Sequence, residues 1–181
     1  MTSLFKLQSY STTRIVPAYY PNCYLAYQSL LPTPVVSLGT NGVQAIHVVP
    51  DAAELVDLLG PDYISLLNTV SPGFNVTRLA GARITSIEGQ APYDYVDKIA
   101  STEVGGFLDH GIRVSGALSR SYYRISGGQY SQRWGALAGP SGVFRDSLKV
   151  TLIPVGENKP LALDIPYIAS FTGNDFTDGP S

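Results

Sequence analysis

Asp109, His110 and Arg113 are the residues whose types and spacing come nearest to acid–base chemistry in this chain. A carboxylate beside an imidazole can orient it, and an imidazole titrates near neutral pH. Adjacent residues on a regular element point different ways, however. No serine or cysteine is placed by sequence to complete a nucleophilic triad. The competing account is a helix capped by Asp109 with His110 exposed. The second histidine, His47, lies between Ile46 and Val48 on an expected strand, the pattern of a half-buried structural imidazole. Asp94 and Asp97, three apart, fit a solvated helix start better than an acid–base pair.

Other chemistries find less. Two histidines and Cys23, the single cysteine, leave no zinc spacing. Asp175 and Asp178 are too few for a calcium loop. Gly127-Gly128 and Gly139-Pro-Ser-Gly142 are not followed by the Gly-Lys-Ser/Thr of a phosphate loop. Neither a metal nor a cofactor is expected. Tyrosine is the unusual residue, with twelve copies against six Phe and one Trp. A tyrosine offers a flat amphipathic face and a hydroxyl for orientation. Tyr122, Tyr123, Arg124, Tyr130 and Trp134, with Arg133, are therefore candidates to line a ligand or peptide groove. Packing in the core and at its rim is the alternative role for them.

The elements that must position these residues belong to a folded chain of low charge. Of its 181 residues 44% are hydrophobic and 14% charged, which suits a packed domain and not a disordered one. The net charge of −2 and the absence of a basic stripe point away from nucleic acid. No apolar run reaches the length of a membrane span, so no membrane partner is expected. Met1-Thr-Ser-Leu-Phe-Lys6 lacks the basic and apolar regions of a signal peptide. Localisation is left open by this, with secretion expected if the chain belongs to a longer precursor. Asn75-Val-Thr77 is a glycosylation acceptor triplet.

Read along the chain, residues 1–31 are Tyr-, Ser- and Pro-rich and read as an irregular wrap with a short strand near Arg14–Val16. Val35–Leu38 and Val43–Val49 read as strands joined at Asn41-Gly42, the pair that best tolerates the positive φ angles of a hairpin turn. Asp51 opens a helix that Gly60-Pro61 ends, and a second short helix is expected over Asp62–Asn68. Gly81–Ser101 reads as strand, turn at Glu88-Gly89 and helix, with Asp94 as cap and Tyr95, Val96 and Ile99 on the apolar face. Phe107–Leu118 reads either as a short helix or as a loop leading into a strand. Ser121–Ile125 looks extended. Ser147–Pro154 alternates as a strand with Leu148, Val150 and Leu152 on one face, and Leu161–Ile165 returns beside it. Residues 173–181 read as a polar tail.

The segment Gly81-Ala-Arg-Ile-Thr-Ser-Ile-Glu-Gly89, with Asp94 and a helix after it, resembles the core of a bacterial-type PDZ domain. Further motifs are Leu31-Pro-Thr-Pro-Val-Val-Ser-Leu38, Tyr93-Asp-Tyr-Val-Asp-Lys-Ile-Ala100, Phe107-Leu-Asp-His-Gly-Ile-Arg113, Ser131-Gln-Arg-Trp-Gly135 and Phe176-Thr-Asp-Gly-Pro-Ser181. With them the chain from about Pro32 onward resembles the PDZ-like, non-catalytic region of fungal secreted serine peptidases. Those are related to tail-specific proteases and the chlamydial protease-like activity factor. The resemblance implies an α+β fold, a PDZ-like small twisted β-barrel or sheet with two to four short helices, over residues 32–172. Such peptidases carry an Asp-Gly-His motif just before a Pro-x-Cys-Tyr stretch. Here Ser11–Tyr24 holds no histidine, and the nucleophilic serine would lie in a domain beyond this chain. The resemblance thus implies a scaffold and not a peptidase activity.

The expectation is a non-catalytic PDZ-like binding or scaffold module, secreted in origin, that binds a peptide segment or a partner peptidase domain and can form a homo-oligomer. In PDZ-like binding an extended peptide adds to a sheet edge while loop amides hold its carboxylate. Gly39-Thr-Asn-Gly42 is a poor match to such a loop. The alternative is a small enzyme of the same fold, a cyclase or isomerase in small-molecule biosynthesis, built on Asp109, His110 and Arg113. It requires a deep apolar pocket with convergent polar groups. A sugar-binding module using the tyrosines is a third option without a specific motif.

Overall fold

The structure, a computed structural model, describes residues 27–124, 129–140 and 145–171. Cys23, the strand expected near Arg14–Val16 and the 173–181 tail lie outside them. The described residues form a mixed α+β fold with an open five-stranded antiparallel sheet, two separate strand pairs and six helices, where two to four were expected. No closed barrel forms among the described residues.

The first strand, β1 (Tyr27–Leu30), falls in the stretch expected to be irregular. Its partner is β9 (Ile168–Phe171), with Leu30 opposite Ile168. Then come β2 (Val35–Thr40) and β3 (Val43–Val48), which form the expected hairpin. Asn41 and Gly42 take φ of 52° and 79°, the left-handed geometry that a two-residue turn demands.

Two helices follow, α1 (Ala52–Asp57) and α2 (Pro61–Val70). Gly60 at φ 87° redirects the chain between them, and Pro61 suits the first turn of α2. A single turn, α3 (Val76–Leu79), was not expected. The Asn75 side chain caps it by accepting from the Arg78 amide at 3.1 Å.

The Gly81–Ser101 unit folds as β4 (Arg83–Ile87), a turn with Glu88 and Gly89 at φ 49° and 74°, and α4 (Pro92–Thr102). The cap position is Ala91 and not Asp94. Pro92 has no N–H to satisfy and its fixed φ starts the helix early, which leaves Asp94 in the first turn. Tyr95, Val96, Ile99 and Ala100 are buried, one apolar stripe at helical spacing. The Phe107–Leu118 stretch resolves as a helix, α5 (His110–Ala117).

Beyond α5 lie β5 (Arg120–Arg124) and β6 (Gln129–Arg133), paired with Tyr123 opposite Tyr130, and the short α6 (Gly135–Ala138). The sheet closes with β7 (Ser147–Ile153) and β8 (Leu161–Pro166). As expected, Leu148, Val150 and Leu152 on β7 are buried while Lys149 is exposed.

Strand order in the main sheet is β2-β3-β4-β7-β8, so β2 and β8 are its edges. One face carries Ile46, Val48, Ile84, Leu148, Val150 and Leu152 into the core, where α4, α5 and α6 contribute Val96, Ile99, Ala117 and Leu137. A second cluster of Leu30, Val56, Tyr63, Leu67 and Ile168 joins α1 and α2 to the β1–β9 pair. The Tyr63 hydroxyl donates to the Leu30 carbonyl at 3.0 Å inside it. Gly135, at φ 77°, is the tightest point of the packing. A Cβ there would stand 2.5 Å from the carbonyl oxygens of Ala117 and Leu118, which no side-chain adjustment relieves.

Candidate functional site

The turn between β2 and β3 decides which backbone groups of β2 are free. In a two-residue hairpin the pair flanking the turn is hydrogen-bonded, and bonded pairs alternate from there. Thr40↔Val43, Leu38↔Ala45 and Val36↔His47 therefore bond to β3, whereas the peptide groups of Val35, Ser37 and Gly39 point away from it. The Val49 amide reaching the Pro34 carbonyl at 2.9 Å keeps the same alternation. The outward carbonyl of Val35 accepts from the Ser119 amide at 2.7 Å. Among the described residues, no backbone partner faces Ser37 or Gly39.

α4 stands over this edge. Tyr93, in its first turn, brings its hydroxyl to 2.7 Å from Ser37 Oγ. The far end of α4 is fastened to the chain before β7. Glu103, the C-cap, is ion-paired with Arg145, and the two side chains are only 12% and 19% exposed. Tyr95 and Tyr167 flank that pair. Burial pushes the Tyr167 hydroxyl up to about 12, with Arg145 pulling the other way. Burial likewise raises Tyr95. The Tyr167 hydroxyl donates to the Leu137 carbonyl at 2.7 Å, tying α6 to the same place.

Ser119 closes the upper end of the edge. Its amide goes to Val35, its hydroxyl donates to the Arg133 carbonyl at 2.9 Å, and the residue is 4% exposed. Leu31 adds a second tie through its amide, which reaches the Ala138 carbonyl at 2.7 Å. The open stretch of β2 is thus Ser37–Gly39, bounded by a fixed stop at Val35 and the hairpin turn beyond Thr40.

The acid–base candidates fall elsewhere. Asp109 is the N-cap of α5, its Oδ1 accepting from the Ile112 amide at 2.8 Å, so its carboxylate does not orient His110. The partner of His110 is Asp97 on α4, with Nε2 to Oδ1 at 2.7 Å on the surface. Arg113 is half-buried, and its Nε has no partner among the described residues. His47 holds the Gly81 carbonyl with Nδ1 at 3.0 Å, which makes Nδ1 the protonated nitrogen.

Of the aromatic candidates, Tyr122, Tyr123 and Arg124 lie on β5 and Tyr130 on β6; their side chains lie outside the described set. Trp134 is half-buried and packs against both apolar clusters. Gly39–Gly42 is the hairpin end of β2 and β3.

Two further surface features matter. A trough of about 350 Å³ runs over β4, β7 and β8, lined by Ser86, Gly89, Lys149, Thr151, Ala162 and Asp164 among others, with no Tyr, His or Arg in its wall. Phe107, Leu108 and Ile112 are exposed together where α5 begins. Among the described residues no three His, Cys, Asp or Glu side chains come close enough to hold a metal ion. Sequence reasoning named neither Ser37 nor Ser119. The one signal for the edge was Asn41-Gly42, whose turn type sets which peptide groups face outward.

No family model, curated protein or solved structure matches the chain.

Proposed function

We propose that this protein is a non-catalytic, PDZ-like binding module, akin to the scaffold region of secreted serine peptidases. It takes up an extended peptide segment as an added strand on β2. The observation that carries this reading is the β2 edge, which has no strand partner on its outer side among the described residues. Ser37 and Gly39 turn their peptide groups outward beside a helix, the arrangement in which main-chain bonds supply affinity and flanking side chains supply selectivity. The motif resemblance over Gly81–Ala100 supports it. The peptide segment can belong to a partner peptidase domain, for which exposed Phe107, Leu108 and Ile112 offer an apolar contact. A small-enzyme reading needs an enclosed pocket with Tyr, His or Arg in its wall, and the trough on the sheet does not provide one.

The test is an array of randomised hexapeptides probed with the wild type and with Gly39→Pro. Proline removes the outward N–H of residue 39 and leaves the β2–β3 ladder unchanged. A retained peptide set that Gly39→Pro loses, with an unchanged far-UV spectrum, is the expected result. An empty array, or one that Gly39→Pro binds equally well, overturns the reading.

A further inference from the structure

We infer that the Tyr93–Ser37 hydroxyl pair is a gate on the β2 edge, closed in the free protein and opened when a strand is added. The inference rests on the peptide-binding reading above and concerns its regulation.

The first step is position. Ser37 shares its sheet face with Val35, opposite Ile46, which is the face that α4 covers. A strand added at the outward groups of Ser37 must set one inward side chain next to the Ser37 side chain, at a Cβ separation of about 4.5–5.5 Å. The Tyr93 hydroxyl already stands 2.7 Å from Ser37 Oγ, so it competes for that place.

The second step is mobility. Tyr93 belongs to the least anchored part of α4. The cap residue Ala91 makes no side-chain cap bond, and Tyr93 and Asp94 are exposed. Further along, Tyr95, Val96, Ile99 and Ala100 bury one face of the helix, and Glu103 with Arg145 fastens its end. Rotation of one exposed tyrosine therefore clears Ser37 without moving the helix. The Ser119–Val35 contact has no such freedom, because the chain at Leu118 is pressed against Gly135. The edge thus has one rigid end and one side that can open.

An exposed neutral hydrogen bond biases such an equilibrium modestly, by about fivefold, and apparent affinity falls by the fraction of molecules that are open. Tyr93→Phe and Ser37→Ala each remove the bond. Each is expected to bind the array hexapeptides about fivefold more tightly than wild type, through faster association. Thr102→Ala, which removes a hydroxyl bond to the Lys98 carbonyl on the same helix, is expected to leave affinity unchanged. Equal binding by wild type, Tyr93→Phe and Ser37→Ala overturns the gate and leaves the peptide reading standing. Weaker binding by both variants also overturns the gate, since the hydroxyls would then contact the ligand. Loss of all binding in every form overturns both.

Discussion

Tyr167 shows how a single side chain couples packing to pH. Its ring is buried, its hydroxyl donates to the Leu137 carbonyl, and desolvation raises its pKa from 10.0 to about 12. Tyr63, with its hydroxyl on the Leu30 carbonyl, is raised by burial as well. A raised folded-state pKa means that the unfolded chain loses its proton first as pH rises. The contribution is complete below pH 10 and disappears as pH climbs through about 12. Two pH units correspond to about 3 kcal/mol as an upper scale for Tyr167. Urea unfolding at pH 8, 10 and 11.5 should therefore show stability falling over the last interval. Tyr167→Phe should be less stable than wild type at pH 8, since the Leu137 carbonyl loses its donor, yet decline less steeply above pH 10. Parallel pH curves for the two proteins would refute this.

At the scale of elements, α5 separates capping from catalysis. Asp109 satisfies an amide at the helix start, so Asp109→Ala should cost about 1 kcal/mol of unfolding free energy. The exposed His110–Asp97 pair should matter much less, and His110→Ala should stay within about 0.5 kcal/mol of wild type. Denaturation of the two variants side by side checks both numbers; an equal loss would show that the pair does more than its exposure allows. The elements also show what was readable in advance. Asn41-Gly42 and Glu88-Gly89 marked their turns because few residues accept positive φ. The β7 alternation marked its buried face because a strand has period two. By contrast β6, Gln129-Tyr-Ser-Gln-Arg133, has no apolar alternation, and β1 is a strand only because β9 pairs with it from the far end of the described chain. The candidate edge was half legible. The turn type fixed which β2 groups face outward, but Ser119 and Tyr93 reach that edge through packing that no local pattern encodes.

For the whole molecule the question is whether two apolar clusters make one cooperative unit. The larger lies between the main sheet and α4–α6, and the smaller holds α1 and α2 on the β1–β9 pair. Phe74, Val76 and Trp134 pack against both. A backbone tie reinforces the joint: the amide of Leu31, the residue after β1, reaches the carbonyl of Ala138 at the end of α6, the helix whose N-cap is Trp134. Opening the smaller cluster alone would strip apolar surface from these three shared residues, and so weaken the larger one. The expected behaviour is a single transition, as in most single domains of this size. Trp134 is the one tryptophan of the chain, and it sits at the seam. Its fluorescence reports the joint, while far-UV circular dichroism reports the sheet and helices together. In a urea titration the two signals should trace coincident curves with one midpoint. If Trp134 fluorescence changes at lower urea than the circular dichroism, the smaller cluster is an independent unit.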